Sequence, residues 1–239
     1  VGAGEKVGVL ISQGVDYFAL IFAIAKIGAI SVPLNPRFKA KELRHVIANS
    51  DMFALVAADH LLEMPDVLDM LEETLPSLVS IGSTELHLEE APLLRRVVIT
   101  GETSRNWTFD FNDLLHTAES VTDQVVLCRS AAVAIRDTAI IMYTSGTTAN
   151  PKGVMLPHEA LVRHGFVIAQ TRFSLTERDR VWSALPLHHI GGMAFFFTCL
   201  AAGATYCHTG NFEPGRALAQ LQSEGCTIAI PAFETIWLA

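Results

Sequence analysis

The sequence predicts an α/β fold, doubly wound, with mostly parallel sheets and flanking helices. Three observations predict it. Short apolar runs alternate with segments whose apolar residues recur at helical spacing. Half of the 239 residues are hydrophobic, at a mean hydropathy of +0.35, which is enough to cover both faces of a sheet. A segment rich in glycine and hydroxyls, residues 144–153, follows an apolar run, and open α/β sheets bind ligands at such strand ends.

The first unit is β-α-β. Val7–Ser12 reads as a strand, Val15–Ile27 as a helix with Phe18, Ile21, Phe22 and Ala25 at helical spacing, and Ile30–Leu34 as the next strand after Gly28. The pattern repeats with helix Ala40–Asn49 and strand Phe53–Ala57. Residues 59–136 are less regular. A helix-like piece at 61–74, strands near 78–81 and 96–100, and a polar turn-rich stretch at 101–108 are expected, with Glu72-Glu73 and Glu89-Glu90 on solvated faces. Alternation returns with strand Ala139–Tyr143, helix His158–Arg172, strand Arg180–Ala184, helix Met193–Ala201, strand Ala204–Cys207, helix Pro214–Ser223 and strand Thr227–Ile230. The charged stretch Thr176–Arg180 marks the expected junction between a first α/β subdomain, 1–175, and the start of a second, 176–239. A helix begun at Ala232 meets Ala239 on an uncapped apolar run, so the natural protein is expected to continue; the start at Val1 without Met suggests an excised piece.

Composition narrows the partners. A net charge of −8 leaves no basic stripe to displace counterions from nucleic acid, so no nucleic-acid partner is expected. Cys128, Cys199, Cys207 and Cys226 fall in no CxxC pair and no zinc-ligand spacing, and read as reduced thiols of a cytoplasmic protein. The most apolar stretch, Tyr17 to Ala25, is too short to span a bilayer and suits a buried helix; no leader precedes it.

The chemistry is carried by residues 143–153, YTSGTTANPKG. Gly146 lets backbone amides approach an anion, the hydroxyls of Thr144, Ser145, Thr147 and Thr148 offer donors, and Lys152 supplies a compact positive charge. A triphosphate is the natural guest. A solvated Ser/Thr turn explains the hydroxyls but gives no reason for them to end on Pro-Lys-Gly after a buried strand. The Walker pattern fails, because Lys152 precedes Gly153 and not a hydroxyl residue.

Tyr143–Met155 resembles the signature loop of the adenylate-forming superfamily, the AMP-forming acyl-CoA synthetases and their relatives. Gly4–Val9, Ala25–Pro33, Asn35, Arg37 and Glu42–Leu43 are similar to the family's early elements, in the expected order. The resemblance implies the N-terminal part of an acyl-CoA synthetase-like fold. It departs at Ala149, where the family usually has Gly; a left-handed backbone there would cost about 1 kcal/mol with Ala.

A second segment, Leu185-Pro186-Leu187-His188-His189-Ile190-Gly191-Gly192, resembles the family's Pro-Leu-aromatic-His-x-x-Gly motif, with His188 in the place of the aromatic. The resemblance puts His189 beside the carboxylate and adenylate pocket, with Gly191 and Gly192 letting backbone lie close to substrate. A metal site from His188, His189 and His208 is the weaker alternative, since adjacent residues rarely aim both rings at one ion. Phe195-Phe196-Phe197 reads as buried helix or acyl-pocket lining, and Trp237 approaches the acyl site in relatives.

The implied reaction joins a carboxylic acid to ATP, giving acyl-adenylate and pyrophosphate, after which the thiol of coenzyme A displaces AMP. The resemblance assigns Gly146, Thr147, Thr148 and Lys152, with Ser145, to the phosphates, Thr144 to Mg2+, and Lys152 and His189 to catalysis. The family's ribose-binding Asp and mobile C-terminal domain would lie beyond Ala239, so the 239 residues alone are expected to make no thioester. Loading of a carrier-protein thiol, or a truncated non-catalytic nucleotide-binding module, are the alternatives.

Overall fold

The computed structural model describes residues 1–144, 150–210 and 212–230. The helix expected from Ala232 and Ser145, Gly146, Thr147, Thr148 and Ala149 of the expected phosphate loop lie outside the described residues, as does Trp237. The chain divides into two compact units, Val1–Leu156 and Pro157–Ala239.

The first unit is built on a seven-stranded sheet that starts at β1 (Lys6–Leu10). Helix α1 (Val15–Lys26) leads to β2 (Ile30–Pro33), and α2 (Ala40–Asn49) leads back to β3 (Met52–Ala57) on the other side of β1. Winding then continues outwards through β4 (Arg96–Ile99) and β5 (Thr108–Asp110) on one side, and through β6 (Thr138–Thr144) and β7 (Lys152–Pro157) on the other. The order is β5-β4-β3-β1-β2-β6-β7, and β1 to β6 pair in parallel wherever they are neighbours. Parallel pairing needs both faces covered. Val9, Val32, Leu55 and Val97 are accordingly buried completely.

Gly28 ends α1 as the sequence suggests. At φ 76° it occupies the left-handed region that favours glycine, and its amide and that of Ala29 return to Ala25 and Ile24. The buried face of α1 is one position away from the expected one: Tyr17, Ile21 and Ile24 are buried, while Phe22 is 41% exposed. A helix apolar on all sides carries too little contrast to orient itself. The Tyr17–Ala25 stretch is therefore only half buried.

Other expectations are corrected. The strand near 78–81 is a 3₁₀ turn, Pro76–Ser80, because Pro76 opens a turn in which the Leu78 amide bonds Leu75. Helix α3 occupies Val67–Thr74, the second half of the expected piece. Helices α4 (Phe111–Ala118) and α5 (Asp123–Ala131) bury no residue; α5 leaves little periodic signal, whereas α4 carries Phe111, Leu114, Leu115 and Ala118 at helical spacing. The acidic pairs are not simply solvated. Glu72 accepts from the indole of buried Trp107 at 3.0 Å, and Glu90 from the Ser77 amide at 3.1 Å.

The second unit holds α6 (His158–Ile168), which continues as a wider π turn over Ala169–Phe173, then β8 (Arg180–Ser183), α7 (Ile190–Ala202), β9 (Thr205–His208), α8 (Pro214–Ser223) and β10 (Ile228–Ile230). Its parallel sheet has the order β10-β8-β9. The stretch Thr176–Arg180 is a turn in this unit, where the Asp179 carboxylate accepts from the Thr176 amide and hydroxyl and from the Thr227 hydroxyl. Phe195, Phe196 and Phe197 are half-buried, and the buried positions of α7 are Gly192, Met193, Thr198 and Cys199. No helix among the described residues is long and apolar enough to cross a membrane.

Candidate nucleotide and acid sites

In the first unit the two stems of the 144–153 loop are β6 and β7. Buried Ala139–Met142 carry the chain to Tyr143 and Thr144 at the strand end, and Lys152 opens β7. Thr144 and Lys152, two of the expected site residues, are both exposed and brought together across the stems, the Thr144 hydroxyl donating to the Lys152 carbonyl at 3.5 Å. The sequence missed β7 because it is exposed along most of its length and contains Gly153 and Pro157. Gly153 gives room there: a Cβ would lie 3.0 Å from Ile141 and 3.1 Å from the Tyr143 ring, close enough that these side chains would have to shift by a few tenths of an ångström.

Two side chains of α2 reach these stems, and the sequence reading did not single them out. His45 Nε2 donates to the Pro151 carbonyl at 2.9 Å, and Asn49 Oδ1 accepts from the Tyr143 hydroxyl at 2.8 Å. The available signal was a polar pair four residues apart on a helix whose other face is apolar. Partial burial, with Asp51 nearby, raises the Tyr143 phenol above its usual range, so it remains a proton donor at neutral pH.

In the second unit His189 is the N-cap of α7. Its Nδ1 accepts from the Gly191 amide at 3.1 Å, which leaves Nε2 as the protonated nitrogen of a neutral ring. The ring is exposed. Gly192 is required by its own loop: a Cβ would fall 2.4 Å from the Pro186 carbonyl oxygen and 2.6 Å from that of Leu185. Gly191 is less confined, its nearest neighbour being His189 Nδ1 at 3.3 Å.

His208, weighed in sequence only as a metal ligand, has both nitrogens committed to backbone. Nδ1 accepts from Gly210 at 2.9 Å, and Nε2 donates to the Leu185 carbonyl at 3.0 Å, bracing the segment that leads to His189. Burial holds its pKa below the ordinary histidine range. Beside Gly191 lies a pocket of about 330 Å³ between α6 and α7, whose walls include Ile168, Phe173, Ala194 and Phe195, with His164 and Arg172 also lining it. Phe173 and Phe195 meet edge to face at 5.7 Å.

The family profile described as AMP-binding enzyme matches residues 1–235. The chain belongs to the AMP-binding enzyme family. Among curated AMP-binding relatives, it is 30% identical over 231 residues to "Putative acyl-CoA synthetase YngI" of Bacillus subtilis (strain 168), a match covering 95% of this chain and 41% of that one. It is 29% identical over 239 residues to the 3-[(3aS,4S,7aS)-7a-methyl-1,5-dioxo-octahydro-1H-inden-4-yl]propanoyl:CoA ligase of Rhodococcus jostii (strain RHA1), covering 98% and 43% of the two chains. The chain thus spans about two fifths of these relatives' length. The fold is similar to that of the anthranilate CoA ligase AuaEII, solved in complex with anthranoyl-AMP, with a TM-score of 0.76 at 22% identity over 96% of this chain and 40% of that one.

Proposed function

We propose that this AMP-binding chain is the nucleotide-binding part of an ATP-dependent, AMP-forming carboxylic acid–CoA ligase. The observation that carries the proposal is the 144–153 segment between two sheet strands, with Lys152 at its exit, in a chain that matches the AMP-binding family over residues 1–235. The carboxylate oxygen attacks the α-phosphorus of ATP, the bond from that phosphorus to the bridging oxygen breaks, and pyrophosphate leaves with its electron pair. The thiolate of coenzyme A then attacks the acyl carbon and AMP departs.

A carboxylic acid is already ionised near neutral pH, so the first step asks for no strong base. It asks for in-line placement and neutralisation of phosphate charge. Lys152 supplies positive charge to the phosphates, and Gly146, Thr147, Thr148 and Ser145 of the loop supply neutral hydrogen-bond donors. The exposed Thr144 hydroxyl would hold Mg2+ as a hard oxygen donor, and the ion would offset phosphate charge. His189, with Nε2–H available, serves as a neutral hydrogen-bond donor to the carboxylate and then the adenylate, and Gly191 and Gly192 keep the backbone beside it unobstructed.

The apolar pocket beside Gly191 favours an acid with a hydrophobic tail, aliphatic or aromatic, and so a place in fatty- or aryl-acid metabolism; the four free cysteines fit a reducing compartment such as the cytoplasm. The test is pyrophosphate release by the full-length protein over a panel of fatty, aryl and short polar acids, with coenzyme A or a carrier protein as acceptor. Acid-dependent release that favours apolar acids, with coenzyme A thioester as product, is expected. ATP hydrolysis indifferent to every acid would contradict the proposal, and thioester only on the carrier protein would reassign the acceptor.

A further inference from the structure

We infer that His45 and Asn49 are positioning residues for the nucleotide: one face of α2 holds both stems of the phosphate loop in register. The inference rests on the reading of residues 144–153 as that loop. Residues four apart on a helix lie one above the other on the same face, and here each reaches a different stem. Asn49 accepts from Tyr143 on the entry side and His45 donates to Pro151 on the exit side.

The mount is stiff. On its other face α2 buries Leu43, Val46 and Ile47, its first turn is tied by the Lys39 amide to the Glu42 carboxylate at 3.0 Å, and Arg44 bonds the Thr74 carbonyl at 2.6 Å. The stems are also registered against each other. The Tyr143 ring packs over Gly153, where no Cβ fits without displacing it, and Thr144 donates to the Lys152 carbonyl.

The His45 bond has the more direct consequence. It fixes the plane of the Pro151–Lys152 peptide, from which the Lys152 side chain departs, so losing it loosens the origin of the cation and not the cation itself. The Asn49 bond sets the Tyr143 side chain at the end of β6, one residue before Thr144. Neither side chain needs to touch ATP for its loss to be felt there, because misplacing a positioned charge weakens its interaction with phosphate.

The experiment is steady-state ATP–pyrophosphate exchange with the full-length protein and the variants Asn49→Ala, Tyr143→Phe, their double, His45→Ala and His45→Gln. One net hydrogen bond corresponds to a roughly 3- to 10-fold rise in KM for ATP, expected for Asn49→Ala, Tyr143→Phe and His45→Ala with the acid KM and the unfolding midpoint unchanged. The double variant should be no worse than either single one, and His45→Gln, which keeps a donor, should recover most of the loss.

Unchanged ATP KM in all three single variants, beside a Lys152→Ala control that does weaken ATP, would overturn this inference and leave the loop reading standing. Parallel rises in both KM values with a lowered midpoint would also overturn it, as a merely structural effect. Unchanged ATP KM in Lys152→Ala would overturn the loop reading, and this assignment with it.

Discussion

Asp51 follows α2 with φ 53°, in the left-handed region, and its amide bonds Ala48. Asp tolerates this conformation better than Ala and less well than Gly. Asp51→Gly should therefore raise stability by roughly 0.5 kcal/mol and Asp51→Ala lower it by about 1 kcal/mol, read as shifts of the urea midpoint. His208 supplies a pH dependence. Its folded pKa is lowered by burial, so as pH falls through the ordinary histidine range near 6.5 the unfolded chain takes up the proton first and stability declines. The decline continues until the folded ring is protonated. His208→Gln should flatten this part of a stability-against-pH curve.

The thiols separate by environment. Cys128 is exposed, whereas burial pushes Cys199 up to about 12. Iodoacetamide at pH 8 should label Cys128 and leave Cys199 unmodified in the folded protein, checked by peptide mass analysis. All four cysteines are free in the structure. Which thiol reacts depends on burial, and no spacing in the sequence encodes that.

At the scale of elements, Asp59 after β3 organises the turn-rich stretch that the sequence saw as polar and irregular. Its carboxylate accepts from the amides of Thr103 at 3.0 Å and Glu102 at 3.1 Å, and these bonds, Thr103 first, lower its pKa. A depressed carboxylate stabilises the fold above the unfolded value near 4 and loses that contribution as pH falls through the folded value. Asp59→Asn should blunt acid destabilisation below about pH 4, followed by circular dichroism. Gly101 leaves room for this carboxylate: a Cβ there would sit 2.1 Å from it, so Gly101→Ala should cost about 1–3 kcal/mol, measured by urea unfolding.

Elements were legible where one face is buried. Helix α2 is expected and found at Ala40–Asn49, and α8 at Pro214–Ser223, because their apolar residues recur on one side. Helix α5 buries nothing and β7 is largely exposed, so hydrophobic period carries little trace of either. Helix α4 was passed over although two local signals mark it: Phe111, Leu114, Leu115 and Ala118 recur at helical spacing, and Asp110 caps the Asn112 and Asp113 amides. In the candidate sites, Thr144, Lys152 and His189 came from motif chemistry. His45, Asn49 and His208 act through contacts 23 to 106 residues away in sequence, which linear spacing does not reveal, as the His45–Pro151 bond across 106 positions illustrates.

For the molecule as a whole, the parallel sheets, the loop at a strand end and the family match support the proposed nucleotide chemistry. With a net charge of −8, the proposed nucleotide binding depends on local cations, Lys152 above all. The central claim is accordingly tested most directly at that one side chain. Acid-dependent ATP–pyrophosphate exchange should be measured for the full-length protein with and without Lys152→Ala. The account predicts exchange in the parent protein and a loss of at least about tenfold in kcat/KM for ATP in the variant, the size expected for a charged contact to phosphate. Equal exchange in the two proteins would contradict it.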